Sequence, residues 1–273
     1  MAMIINHNLN AMNAHRNLLL NNIAQGKSSE KLASGFKVNR AADDAAGLSI
    51  SEKMRTQIRS LNQAQANAQD GISLVQTAEG AMSEISDMLS RMKELAVKAS
   101  NGTYNASDLE AIDAEFKALS TAIDSIAKST TFNGITVLNG TGAVSIQIGD
   151  TTSVQNTVTV TLSNVELSSL SISGQSLGSA AGASAALGRI DTDIGRINKA
   201  RSAFGAVQNQ LEHTFNNLGT TAENLQAAES RIRDTDMAKE MMNYTKLSIL
   251  QNAATSMLAQ ANQAPQSVLQ LLR

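Results

Sequence analysis

The sequence has no cysteine, no tryptophan, one proline and few aromatic residues of any kind. Without cysteine there is no disulfide, no thiolate nucleophile and no sulfur metal site. Pro265 is the only proline, so the commonest helix breaker is confined to the C-terminal end. Aromatics make up 3% of the chain although apolar residues make up 42%. The apolar share is therefore mostly Ala, Leu, Ile, Val and Met, which suit thin layers between helices better than a thick globular core. Charge of either sign is not in excess: 22 Lys and Arg against 24 Asp and Glu leave −2 over 273 residues. That balance gives no basic footprint for nucleic acid or a membrane surface. No run of about 18 apolar residues could span a bilayer. The opening MAMIINHNLNAMNAHRN lacks the cationic region and unbroken apolar core of a secretory signal peptide.

Heptad periodicity fills the chain instead. Leu187, Ile190, Ile194, Ile197, Arg201, Phe204, Gln208, Leu211, Phe215 and Leu218 step by alternating threes and fours, the spacing of a helix packed along other helices. At 1.5 Å per residue this stretch is about 48 Å long and needs partners of similar length. Residues 3–34 carry Ile5, Leu9, Met12, Leu19 and Ile23 at the same spacing, with Leu18 and Leu20 widening the apolar face. Residues 32–47 read as an irregular connector, bracketed by Gly35 and Gly47 and holding Asn39, Asp43 and Asp44.

The longest helix is expected from Leu48 to about Ser100. Its stripe runs from Met54 through Ile58, Leu61, Gln65, Ala68 and Ile72 to Val75, slips phase near Ala78, and resumes through Met82, Ile85, Leu89, Met92 and Ala96. Gly71 and Gly80 are candidate break points, each costing about 1 kcal/mol against Ala. Unbroken, such a rod would be roughly 75 Å long, more than the ~50 Å diameter of a compact globule of this chain length. Asn101-Gly102 closes the helix. Ser107-Asp108-Leu109-Glu110 reads as a capping box, opening a helix with Leu109, Ile112, Phe116, Leu119, Ile123 and Ile126 on one stripe.

The pattern changes after Ser129. Two Asn-Gly turn signals and the alternation of Val144, Ile146 and Ile148, then of Val158, Val160 and Leu162, predict short antiparallel strands or hairpins within 131–173. Residues 174–186 form a small-residue linker. A last helix, N-capped within Asp234-Thr235-Asp236, carries Met237, Met241, Tyr244, Leu247, Leu250, Ala254, Met257, Leu258 and Ala261, and Pro265 ends it.

The fold class expected is mainly α: an elongated long-helix bundle or coiled coil formed by paired N- and C-terminal segments, with a small β-hairpin region mid-chain. Residues 1–43 with 234–273 would make a terminal coiled-coil domain, and 44–233 a helical rod, with no large outer domain. The terminal pair carries too much apolar surface for one hairpin, with Leu18, Leu19 and Leu20 on one side and Leu269, Leu271 and Leu272 on the other. Leaving it wet is costly at about 25 cal/mol per Å². Matching patches on opposite sides of a rod give open helical filaments rather than closed rings.

Little suggests catalysis. His7, His15 and His213 have no metal-ligand spacing. Asp43-Asp44 and Asp234 with Asp236 suit connector and cap duty, with no nucleophile or base beside them. No H-E-x-x-H occurs. The chain is read as no enzyme, with no catalytic, cofactor or metal site.

Four segments carry a family resemblance: IINHNLNAMNAHRNL (4–18), SSEKLASGFKVNRAADDAAGLSISEKMRTQIRSL (28–61), AQDGISLVQTAEGAM (68–82) and SILQNAATSMLAQANQAPQSVLQLLR (248–273). They resemble bacterial flagellin, in a short form holding the core domains alone. The resemblance covers roughly residues 1–140 and 185–273. It implies a subunit of the extracellular flagellar filament, its terminal domain lining the filament core, exported without cleavage through the flagellar type III apparatus. A hook–filament junction protein is the alternative.

Implied partners are further copies in a homo-polymer, hook-associated and cap proteins, an export chaperone at the C-terminal helix, and a host Toll-like receptor. The polymerisation residues would be Ile5, Leu9, Met12, Leu19, Ile23, Leu247, Leu250, Leu258, Leu269, Leu271 and Leu272. The family's receptor motif falls on LSRMKELAVK (89–98), where Arg91, Glu94 and Leu95 match, while Glu115 matches a further contact. Ser90, Met92 and Lys93 depart from the motif. Arg91 and Leu95, four apart, are expected to share a face.

Overall fold

A computed structural model describes residues 8–139, 142–151 and 153–271, with Val154 and 264–271 placed by backbone alone. The described residues form five α-helices and four short strands: α1 (Leu9–Ser34), α2 (Ala45–Ala99), α3 (Ala106–Ser129), β1 (Thr131–Phe132), β2 (Ile135–Thr136), β3 (Ala143–Gln147), β4 (Thr157–Thr161), α4 (Ala180–Arg233) and α5 (Met237–Leu271). They fall into two compact units, one from residues 1–56 and 224–273, the other from 57–223.

In the first unit α1 and α5 pair antiparallel. Three bonds fix the register: Asn8 Nδ2 donates to Ala261 O at 2.7 Å, Gln251 Nε2 to Asn22 Oδ1 at 3.2 Å, and Ser28 Oγ to Glu240 Oε1 at 2.5 Å. Asn8 also caps α1, its Oδ1 accepting from Ala11 N–H. Gly35, at φ +75°, ends α1 in the left-handed conformation that glycine adopts without strain.

The connector is shorter than expected, because α1 runs through Leu32 and Ala33 and α2 has begun by Ala45. Asp44 caps α2 by accepting from Gly47 N–H, and a Cβ at Gly47 would fall on that carboxylate. Asp236 caps α5 through Lys239 N–H. Pro265 does not end α5, which continues to Leu271. The carbonyl that an N–H at 265 would have satisfied is the one that Asn8 takes.

In the second unit α3 lies antiparallel to α2, tied by Arg91 to Glu115. The α4 segment is also antiparallel to α2, through Lys93–Asp191 and Arg201–Glu79. Along α4, Ile190, Ile197, Phe204, Leu211 and Leu218 are all buried, seven apart, while Leu187, Ile194, Arg201, Gln208 and Phe215 flank them half-buried. One heptad position thus carries the seam.

On α2 the buried positions Leu61, Ala64, Ala68, Gly71, Val75, Ala78, Met82, Ile85, Leu89, Met92, Ala96 and Ala99 alternate threes and fours without interruption. No slip occurs at Ala78, and α2 is unbroken at Gly71 and Gly80. The seam uses Ala64 and Gly71, beside the Gln65 and Ile72 expected from side-chain size.

The capping box of α3 sits two residues upstream of its expected place. Asn105 Oδ1 accepts from Asp108 N–H at 2.9 Å, and Asp108 Oδ2 accepts from Asn105 N–H at 3.3 Å. Asn outranks Ala and matches Ser as a cap, and Ser107 Oγ donates to its Oδ1.

β1 and β2 form a hairpin around Asn133-Gly134, both at positive φ as a two-residue turn demands; Gly140 of the second Asn-Gly signal lies outside the described residues. β3 pairs with β4 antiparallel, Val144 opposite Val160 and Ile146 opposite Val158. After β4 the chain returns as irregular turns rather than strands, burying Val165, Leu170, Ile172 and Leu177. Helix α4 begins within the expected linker, at Ala180.

Candidate assembly and recognition surfaces

The α1–α5 pair packs through leucines interleaved with small and polar residues. On α1 Ser28 is buried, and Ala11, Ala14, Leu18, Asn21, Gln25 and Leu32, half-buried, share its stripe at heptad spacing. The half-buried stripe of α5 includes Glu240, Tyr244, Leu247, Gln251, Ala254, Leu258 and Ala261. Among the polar ones, Ser28 bonds across the pair to Glu240 and Gln251 to Asn22. Apart from Leu18 and Leu32, the larger apolar side chains of α1 face outward: Leu9 is 66% exposed and Ile23 60%, and Met12, Leu19 and Leu20 stand with them. On α5 Met237, Met241, Met242, Ile249, Leu250 and Met257 are exposed.

Of the residues expected to drive polymerisation, Leu9, Met12, Leu19, Ile23 and Leu250 lie on this outer face. Leu247 and Leu258 belong to the seam inside the pair. Ile5 and Leu272 lie outside the described residues, and Leu269 and Leu271 are placed by backbone alone. A shallow groove of about 780 Å³ follows the pair, with Leu20, Leu250, Met257, Ala253 and Asn17 among its walls.

The ends of the pair are locked to the adjoining chain. Lys37 N–H donates to Arg233 O at 2.6 Å and Thr235 N–H to Gly35 O at 2.8 Å. The Arg233 guanidinium lies 4.7 Å from the Phe36 ring centroid and donates to Glu52 Oε1 at 2.5 Å. That bond is the main reason the Glu52 carboxyl titrates below its ordinary value. Sequence reading missed this lock, since Arg233 and Phe36 lie some 200 positions apart and carry no periodic signal.

The second surface is polar. Arg91 donates through Nε and Nη2 to Glu115 Oε1 at 3.0 and 2.9 Å, and through Nη1 to Glu94 Oε2 at 3.0 Å. Glu115 first, then Glu94, raise the Arg91 pKa further. Arg91, Glu94 and Glu115 thus form one exposed cluster across α2 and α3. Leu95 does not share its face, being 3% exposed in the core with Met92 and Ala96. Four residues rotate a helix about 40° beyond a full turn, enough to carry Leu95 from beside Arg91 into the edge of the seam.

Three carboxylates hold the irregular return of the chain, a role the sequence did not disclose. Asp193, fully buried on α4, accepts from Ser171 and Ile172 N–H at 3.0 and 3.1 Å. Asp113 accepts from Leu177 N–H at 2.6 Å and pairs with Lys117. Asp124 accepts from Leu167 N–H and pairs with Lys128. Burial alone would raise the Asp113 pKa, but the Lys117 and Leu177 bonds outweigh it and hold the group below its ordinary range. The Lys128 bond does the same for Asp124. His15 and His213 are exposed, His7 lies outside the described residues, and no cluster of metal-ligating groups occurs among the described residues.

The sequence matches the family models of the bacterial flagellin N-terminal helical region over residues 5–143 and the bacterial flagellin C-terminal helical region over 187–272. It is 51% identical to the flagellin of Halalkalibacterium halodurans, over 99% of this chain and 100% of that protein. It is 46% identical to the flagellin of Bacillus subtilis at the same coverage. Among solved structures, the crystal structure of Bacillus cereus flagellin is similar with a TM-score of 0.51 and 36% identity, covering 60% of this chain and 94% of that one.

Proposed function

This chain belongs to the bacterial flagellin family, and from that premise we propose that it joins copies of itself through the outer faces of α1 and α5. It is a structural subunit of the extracellular flagellar filament. The observation that carries the assembly reading is the second apolar stripe of α1, where Leu9, Met12, Leu19 and Ile23 face solvent although Ala11, Ala14, Leu18 and Ser28 already pack on α5. Fully burying one such large side chain contributes about 1.5–3 kcal/mol, so a stripe of them on each copy supplies a strong drive to associate. In this reading residues 1–43 and 234–273 line the filament core.

Seeded polymerisation tests this. Purified chain should extend filament seeds, and chain lacking 1–34 or 237–273 should not; intact chain that stays monomeric at every seed density would refute it. Export through the type III apparatus, with a chaperone on α5, accompanies the same reading. So do contacts with hook-associated and cap proteins at the filament ends. A hook–filament junction role would instead leave the chain scarce in sheared filaments, which quantitative mass spectrometry measures.

A second reading concerns Arg91, Glu94 and Glu115, whose clustering on the surface of α2 and α3 favours recognition by a host Toll-like receptor. Arginine with paired donors is a common interface anchor. Leu95 would support that surface from within. Reporter cells given wild type and Arg91→Ala should respond unequally; equal dose–response curves would remove the assignment.

A further inference from the structure

Among the described residues the methionines differ in exposure, with Met54 and Met88 half-buried. Met82 and Met92 are fully buried on α2, whereas Met12, Met237, Met241, Met242 and Met257 all stand in solvent on α1 and α5, Met242 at 68% exposure. The bond from Asn8 to Ala261 sets a register that brings Met12 level with Met257. Met257 also lines the groove along the pair, with Leu20 and Leu250. Five polarisable thioethers therefore stand in solvent among the exposed leucines and isoleucines of α1 and α5.

We propose that Met12, Met237, Met241, Met242 and Met257 form an oxidation site whose conversion to methionine sulfoxide by a peroxide blocks assembly of the subunit. The inference rests on the assembly reading of the outer face. The sulfur lone pair attacks one peroxide oxygen and the O–O bond breaks. An S–O bond forms, and the departing hydroxide takes the remaining proton as water. Sulfur loses two electrons and the peroxide gains them. The product replaces a flexible apolar side chain by a polar, chiral one. A sulfoxide oxygen buried among leucines without a donor weakens the contact, and several act together on each subunit. Met82 and Met92 escape because the oxidant cannot reach sulfur inside the helical core. The change is reversible by methionine sulfoxide reductases, so the face could be switched off and restored.

The test treats the full-length subunit with hydrogen peroxide, maps sulfoxides by peptide mass spectrometry and measures seeded elongation. Sulfoxide should appear at the five exposed methionines before Met82 and Met92. Elongation should fall about tenfold or more and recover after reductase treatment. A subunit with Leu at all five positions should elongate equally well before and after peroxide. Oxidation of Met82 and Met92 as fast as the five would overturn the proposal, and so would unchanged elongation by a subunit fully oxidised at the five. Should untreated subunit fail to elongate, the assembly reading itself fails, while the mass map still decides which sulfurs react. Should the five-Leu variant fail to fold, recovery by the reductase decides, and its absence counts against the site.

Discussion

Asn8 stands where Pro265 leaves a gap. Pro265 has no N–H, so the carbonyl of Ala261, four residues earlier, lacks its helical donor. Asn8 Nδ2 fills that place at 2.7 Å, while its Oδ1 caps the first turn of α1. One side chain thus starts one helix and carries the other past its proline, and its position sets the register of the pair.

Asn8→Asp separates the two roles, keeping the capping acceptor and losing the donor. It should expose the amides around residues 258–264 to exchange, with about 1 kcal/mol less protection. In a Pro265→Ala background, where a backbone N–H can satisfy Ala261, the same substitution should cost little. Hydrogen exchange on the four members of this cycle gives the coupling; additive effects would show that Asn8 and Pro265 act independently.

Acid should loosen the return of the chain over 162–179. Asp113 and Asp124 have folded-state pKa values below the ordinary 3.8. Their contribution is therefore complete above pH ~4 and is lost as pH falls through the lower folded values. Asp113 is largely buried, and a charged hydrogen bond of this kind contributes about 1.5–3 kcal/mol. Thermal melts from pH 7 to 2.5 should show wild type well above Asp113→Asn at neutral pH, the two curves converging toward pH ~2.5. A constant offset at every pH would show that the carboxylate charge is not what matters.

The α4 seam was legible because its buried positions are large and apolar, and Ile190, Ile197, Phe204, Leu211 and Leu218 announce themselves at a period of seven. Helix α2 was misread at one point for the opposite reason. Gly71 occupies a seam position but has no side chain for a pattern to detect, so the stripe seemed to slip at Ala78. In α1 periodicity was found on the wrong face. The sequence offers two heptad stripes, and the one with more large residues is the exposed one, while the pair packs through Ala11, Ala14, Leu18, Ser28 and Leu32. Asp193 was illegible altogether, since a buried carboxylate makes sense only once the N–H groups of Ser171 and Ile172 are known to return to it. The cluster of Arg91, Glu94 and Glu115 came from family resemblance and not from spacing, which put Leu95 on the face of Arg91 although Leu95 packs in the core.

Gly71 and Gly80 of α2 should respond oppositely to alanine. A Cβ at Gly71 would collide with Ile146 of β3 and press on Leu211. Gly71→Ala should destabilise the 57–223 unit by about 1–3 kcal/mol, with partial rescue by Ile146→Val. A Cβ at Gly80 meets nothing within 4 Å, so Gly80→Ala should stabilise by about 0.5–1 kcal/mol. Urea unfolding of the two variants reads both signs; stabilisation by Gly71→Ala would mean that β3 does not press on α2 as described.

A charge on the outer stripe distinguishes packing within the subunit from packing between subunits. Ile23 is exposed and contributes nothing to the α1–α5 seam, so Ile23→Glu should leave the helical content and melting of the monomer within about 0.5 kcal/mol of wild type. Set into an apolar contact with another copy, the same carboxylate is stripped of water without a partner, and seeded elongation should drop by about a hundredfold or more. Ser28→Leu makes the complementary change, removing the bond to Glu240 from the buried seam. It should lower the exchange protection of α1 and α5 before it touches the outer face. Elongation that tolerates Ile23→Glu would place the contact between copies elsewhere on the subunit.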